Sequence, residues 1–268
     1  MPFITHEAEA VANKTTGTRV AVKEKPTAAT STPELEASGR AFVALDATGE
    51  YLDIPVTRAA DGLVLRHCIP DAPSGGGATA TLSLYVNGKF RQSLTLSSRY
   101  NWLYGHDNNR NGQSNDPAAG TPHVFWDDTR FRITGGVAPG DTLRLQKDER
   151  DTAAFYRIDL VDLEAVPLPL APPPTGTFLS VVDFGATAND ETDDTPALLK
   201  CIEAARVAKK TVWVPSGSFQ HTQKFTLDGV AVQGAGMWHT TLVGIRGQHG
   251  FMLRGKNPRI SDLTIEST

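Results

Sequence analysis

Apolar and polar residues alternate in short runs through the first 166 residues of the chain. Residues 41–45, 51–56, 62–69, 79–86, 90–96, 124–125, 130–133, 142–145 and 155–163 read as strands, separated by turn residues. Residues 3–11 alternate more loosely and read as a first strand. Asn87 and Gly88, between the pairs Tyr85-Val86 and Lys89-Phe90, predict a two-residue hairpin. Many short strands with little helical periodicity predict a β-sandwich over residues 1–166. The pattern then changes. Residues 166–174 (VPLPLAPPP) predict an extended, semi-rigid spacer, so 167–176 reads as a linker. Beyond it Thr195 and Pro196 read as the N-cap and first position of a helix. Leu198, Cys201, Ile202, Ala205 and Ala208 give that helix one apolar stripe. Asp193 and Asp194 suit its positive end, and Lys209 and Lys210 its negative end. Residues 211–214 form the next strand; 229–234, 241–244, 251–255 and 259–265 follow at irregular spacing.

Length and charge narrow the picture. A chain of 268 residues predicts two domains. The net charge is −4 and the basic residues are scattered, which argues against a nucleic-acid surface. Cys68 and Cys201 fall in different predicted domains, so no disulfide framework is expected. No apolar run reaches membrane-spanning length, so no membrane partner is expected. Residues 1–12 carry no basic n-region and do not form a signal peptide. That leaves a cytoplasmic protein, or a secreted one supplied without its leader.

Two stretches carry candidate chemistry. Glu7 and Glu9 stand two apart, so a strand there would put both carboxylates on one face. Residues 97–123 form a long connection, and connections of that length are commonly functional. Tyr100, Trp102 and Tyr104 open it and share one parity; Asp107, Asn108 and Asn111 follow, with Trp126 just beyond. A sugar needs flat aromatic faces for its C–H surface and short amides or carboxylates for its hydroxyl rim. Trp102, Tyr104, Asp107, Asn108, Asn111 and Trp126 are therefore the candidate carbohydrate-binding residues.

Three resemblances add to this reading. Residues 182–186 (VDFGA), Asp190, 193–195 (DDT), Ala197, Ala204 and 212–219 (VWVPSGSF) resemble the entry cap of right-handed, pectate-lyase-like parallel β-helix proteins. Residues 177–268 would then be that cap and its first coils. The pattern stops at Thr268 part-way, which implies an amino-terminal piece of a longer protein. Residues 6–10 (HEAEA), 49–54 (GEYLDI), 82–88 (LSLYVNG) and 156–164 (YRIDLVDLE) resemble carbohydrate-binding modules of families 6 and 35, which are jelly rolls. The fold expected is thus all-β: a jelly-roll β-sandwich binding module over 1–166 and the capped first coils of a parallel β-helix. Such modules hold a structural calcium ion, which implies Glu7, Glu9 and Asp159 as its ligands here. Calcium favours hard oxygen ligands.

The whole order is similar to glycoside hydrolase family 87, whose members cleave α-1,3-glucans of the mycodextran type. The resemblance implies a secreted, polysaccharide-binding hydrolase with inverting acid–base chemistry, in which two carboxylates flank the scissile bond. No Asp or Glu here matches the family's catalytic pair, so no catalytic residue is assigned and the 268-residue chain is expected to be inactive. The rival readings are a polysaccharide lyase or polygalacturonase-like hydrolase, and a non-catalytic glycan-binding adhesin.

Overall fold

Alternation along the strands of the first 166 residues builds two antiparallel sheets, and their inward positions meet in a shared core. In the computed structural model, residues 3–22, 32–105, 114–245 and 249–267 are described. The chain divides into two compact units, Met1–Val166 and Pro167–Thr268.

In the first unit one sheet runs Asp127–Val137, Ala60–Cys68, Tyr156–Glu164, Ala41–Leu45 and Thr18–Ala21, with Phe3–Glu7 also paired to Tyr156–Glu164. The other runs Lys14–Thr15, Tyr51–Pro55, Thr142–Gln146, Thr79–Val86 and Lys89–Ser97. Leu82, Leu84, Leu143 and Leu145 from the second sheet pack with Leu63, Leu65, Ile158 and Val161 from the first. The second sheet thus has one packed face, as period-two sequences require. In the first sheet Ala41–Leu45 is buried throughout, because Phe42 and Ala44 pack with Ala37, Val20 and Trp126 on the outer side. Asn87 and Gly88 both have positive φ, 51° and 74°, and close the expected hairpin.

Two departures from the sequence reading lie near the first strand. That strand ends at Glu7 rather than Val11. The Asn13 side-chain amide donates to the carbonyls of Glu7 and Ala8, and the Asn13 N–H donates to Ala10, which turns the chain back. Glu9 therefore sits in a turn, and the two-residue strand spacing with Glu7 does not apply. In Tyr156–Glu164, Ile158 pairs His67 and Leu160 pairs Arg66, which leaves Asp159 as the extra residue of a β-bulge. Inward positions consequently move from Tyr156 and Ile158 to Val161 and Leu163.

The second unit is a helix-capped stack of parallel strands. The helix spans Thr195–Ala208 with Asp194 at the N-cap position, one residue before the expected Thr195. Asp193 Oδ1 accepts the Thr195 N–H at 3.0 Å, and Asp194 accepts the N–H groups of Thr187 and Gln220. Ala197, Leu198, Cys201, Ile202 and Ala205 are buried. Ala208 is exposed, because Lys209 turns left-handed at φ 54° and ends the helix there.

Three parallel ladders follow. Leu179, Val212, Val232 and Ile260 stack in register; so do Phe219 and Leu242, and Phe225 and Phe251. The expected strand 259–265 is two strands, Arg259–Ser261 and Thr264–Ser267, because the chain turns a corner at Asp262, φ 60°. Gly234 lies under that corner, where a Cβ would overlap the Asp262 carbonyl. The strands Phe178–Ser180 and Phe225–Asp228 were not expected from the sequence. The proline-rich segment is not a free tether: Leu170 donates its N–H to Ala235, and the His239 ring bonds the Pro167 carbonyl.

Phe219 is fully buried between coils. Phe219→Ala is expected to destabilise the second unit by about 3–5 kcal/mol, the cost of losing a large core ring. Urea denaturation measures it, and an unchanged midpoint would show that the ladder is not the core.

Candidate functional site

The aromatic region is built on Asn101. Its buried side chain accepts from the Ile69 N–H and donates to the carbonyls of His67 and Phe125. This pins the short pair Trp102–Leu103 and His123–Val124 to the end of the sheet strand Ala60–Cys68. Trp102 is half-buried and its indole N–H donates to Ile69 at 2.9 Å. Tyr104 is only 7% exposed, and its hydroxyl donates to Asp71 Oδ2 at 2.9 Å. Burial pushes that phenol up to about 12, and the Asp71 bond works in the same direction. Trp126 is half-buried, donates to the Pro33 carbonyl and packs on Phe42 at 5.3 Å. His123 stacks on Phe125 at 4.0 Å, with its Nε2 3.0 Å from Glu36 Oε1.

This placement corrects the sequence reading in one respect. Tyr100, Trp102 and Tyr104 do not share a strand face, because the strand begins only at Trp102. Tyr100 is 49% exposed, whereas Tyr104 is packed inward as an anchor and has no free face for a sugar. Asp107, Asn108 and Asn111 lie outside the described residues.

Asp159, Glu7 and Glu9 make an acidic cluster at the bulge. Asp159 is fully buried; both its oxygens accept the Ser38 N–H at 3.0 Å, and Arg66 Nε stands 3.1 Å from Oδ2. That last contact is a charge pair without hydrogen-bond alignment. Ser38 Oγ donates to Glu7 Oε1, while Glu7 Oε2 and Glu9 Oε2 are buried without a hydrogen-bond partner. Burial pushes Asp159 up to about 7; Ser38 and Arg66 oppose the shift, and the charges of Glu7 and Glu9 add to it. Burial also raises Glu9. Among the described residues no three His, Cys, Asp or Glu side chains are placed so as to hold a metal ion.

In the second unit the acidic residues have structural duties. Asp190 accepts from Thr192, Asp193 from Thr195 and Thr222, and Asp262 from Gln233. The sequence reading missed a histidine pair. His221 is buried, with its ring centroid 5.6 Å from that of His249 at 86°. His221 Nε2 and His249 Nδ1 are both buried and unpartnered. Gly244, paired with His221 on the ladder, leaves room for the His249 ring, which any Cβ there would overlap. The only trace in the sequence is the inward parity of His221 with Phe219.

Known families match the two units separately. Residues 178–263 match a family model described as rhamnogalacturonase A/epimerase, pectate lyase-like. Residues 1–166 match the model of the alpha-1,3-glucanase catalytic domain D1, and the chain belongs to that family. The model covering the sandwich thus describes part of a catalytic domain. The chain is similar to the solved Agl-KA catalytic domain, with 28% identity and a TM-score of 0.84 over 100% of this chain and 47% of that one. It is similar to the catalytic unit of a thermostable GH87 alpha-1,3-glucanase from Streptomyces thermodiastaticus, with 29% identity, a TM-score of 0.78, and coverage of 100% and 44%. A GH87 alpha-1,3-glucanase catalytic domain in complex with nigerose matches with 29% identity, a TM-score of 0.79, and coverage of 100% and 46%. The chain therefore spans less than half the length of these structures. No curated protein sequence matches it.

Burial holds the His221 imidazole below its ordinary value; the Gln223 carbonyl and Asp193 oppose this, and His249 reinforces it. Folding thus favours the neutral ring, and the unfolded chain binds the extra proton. Stability of the second unit is expected to be intact above pH 6.5 and to fall as the pH drops below it. Thermal melts at pH 7.5 and 5 should show a smaller acid loss for His221→Gln than for the parent. Equal losses would exclude His221 as the source.

Proposed function

We propose that the chain is part of a secreted hydrolase of α-1,3-glucan and that its sandwich unit holds the polysaccharide. The observation that carries this is the match to GH87 catalytic domains across the full chain, at 28–29% identity. One of those is described in complex with nigerose, and a further GH87 catalytic domain, a variant, in complex with tetrasaccharides. Secretion suits a polymeric substrate that cannot enter a cell. No helix among the described residues is long and apolar enough to cross a membrane. Asp190, Asp193, Asp194 and Asp262 are not assigned to the reaction, since they are committed to backbone and side-chain donors. The test is retention of the chain on insoluble α-1,3-glucan, with cellulose as control, and an assay for released reducing sugar. Retention without hydrolysis is expected; absence of retention would overturn the reading.

Trp102 and Trp126 are the proposed contacts on this unit, at the edge of the connection that carries Asp107, Asn108 and Asn111. Aromatic anchors contribute about 2 kcal/mol or more, against about 1 kcal/mol for a neutral hydrogen bond. Trp102→Ala is expected to weaken retention more than tenfold. A melting curve is required alongside, because Trp102 also holds Ile69. Loss of folding would make it a core residue, and unchanged retention would exclude it from the site.

Calcium is the second proposal, with Glu7, Glu9 and Asp159 as its carboxylates; as they stand the three do not converge on one point, so binding would have to draw their side chains together. Three carboxylates gather at the bulge against the Arg66 guanidinium, and Glu7 Oε2 and Glu9 Oε2 are buried there without hydrogen-bond partners. A bound hard cation would give those oxygens a partner and tie the end of the first strand to the bulge of the last. Since binding would favour the folded state, calcium should raise the melting temperature of the parent and not of Asp159→Asn. A melting temperature indifferent to both calcium and chelator would end the proposal and leave Arg66 as the neutralising group.

A further inference from the structure

From the geometry we infer a second sugar-binding subsite on the sandwich, where the loop after Thr142–Gln146 meets the turn before Tyr51–Pro55. This inference rests on the glycan reading of the sandwich and adds a contact site to it. The two segments border a shallow, open concavity of about 570 Å³ lined by Thr48, Gly49, Gln146, Asp148, Glu149 and Arg150.

The concavity is held rigidly. Asp151, 2% exposed, accepts the Thr81 hydroxyl and the backbone N–H groups of Ser83 and Asp148, so the loop 148–151 is tied to the sheet. Asp148 is aimed by two further donors, the Tyr85 hydroxyl at 2.5 Å and the Gln146 amide at 2.6 Å. Those bonds hold its carboxyl below the ordinary value although burial works against them. The site thus presents an oriented carboxylate that remains an acceptor.

An aromatic surface adjoins it. The Arg150 guanidinium stands 4.5 Å over the ring of Phe90, and Tyr85 meets that ring edge-on at 5.6 Å. Phe90 is 43% exposed on a hairpin strand whose neighbouring apolar residues Leu94 and Leu96 are fully packed inside. Arg150 covers one face of the phenyl, and the ring's exposed remainder borders a lining of an amide, a hydroxyl, two carboxylates and a guanidinium, a combination that suits both the apolar and the hydroxyl surface of a pyranose. The charges also choose the ligand. Asp148 and Glu149 are set against Arg150, so the lining favours neither a phosphate nor a polycation. A neutral polyol such as a glucan segment fits that balance.

The experiment uses the full chain, nigerose in titration calorimetry and insoluble α-1,3-glucan in a retention assay. The variants are Phe90→Ala, Arg150→Ala and Glu149→Gln, each with a melting curve. Glu149 and Arg150 are exposed, so their variants test binding even where Phe90→Ala disturbs the hairpin. The expected result is a loss of at least fivefold in nigerose affinity for Arg150→Ala and for Glu149→Gln, with melting temperatures unchanged. Parent-like affinity in both of these variants overturns the subsite and leaves the proposed function standing. A parent chain that binds neither ligand overturns the proposed function, and the subsite with it.

Discussion

A β-sandwich closes only if its last strand can satisfy neighbours on both sides, and here that strand must change neighbour half-way. Tyr156–Glu164 pairs with Ala41–Leu45 as far as Ile158 and with Phe3–Glu7 from Leu160 onwards. Asp159 occupies the junction as the unpaired residue of the bulge, and its carbonyl accepts the N–H of Ala8. The extra residue shifts inward parity, so that Val161 and Leu163 continue the core begun by Tyr156 and Ile158. The fold thus places a buried carboxylate where two partner strands end, and Ser38 and Arg66 gather there as a result. The acidic cluster follows from the closure of the sandwich.

Much of this architecture is legible in the chain because period two is a strong signal. The strands of the sandwich and the Asn87-Gly88 hairpin need only local residues to be recognised. The bulge at Asp159 has no local mark; it exists only in the register against His67 and Arg66. The corner at Asp262 is hidden likewise, since residues 259–265 read as one strand and Gly234 in the previous coil permits the turn. The role of Tyr104 depends on Asp71, and that of Trp102 on Ile69, far away in sequence. Aromatic composition announces a surface with potential for sugar, while tertiary packing decides which rings remain available to it. The Phe90 and Arg150 pair escaped the sequence reading because it spans a hairpin strand and a loop that no motif connects.

Both units solve the problem of polar backbone with repeating pairs, but they differ in how far each residue's influence reaches. In the sandwich, two sheets share one core, and Leu82 or Leu163 belongs to a cluster fed by most strands. In the stack, Val212 meets Leu179 before it and Val232 after it. Contacts of that kind fall off with coil number, and stability becomes a sum of neighbour terms.

The ladder has a mechanical corollary. Parallel strands in register are joined by rows of hydrogen bonds that a pull along the stacking direction would load one coil at a time. The helix Thr195–Ala208, packed over Val181, Val212 and Phe225 in one cluster, covers the first row. Such a stack would yield stepwise, and each step would release a single coil while the rest kept their packing. Damage from a mechanical load would then stay local, and a peeled coil could close again on an intact template.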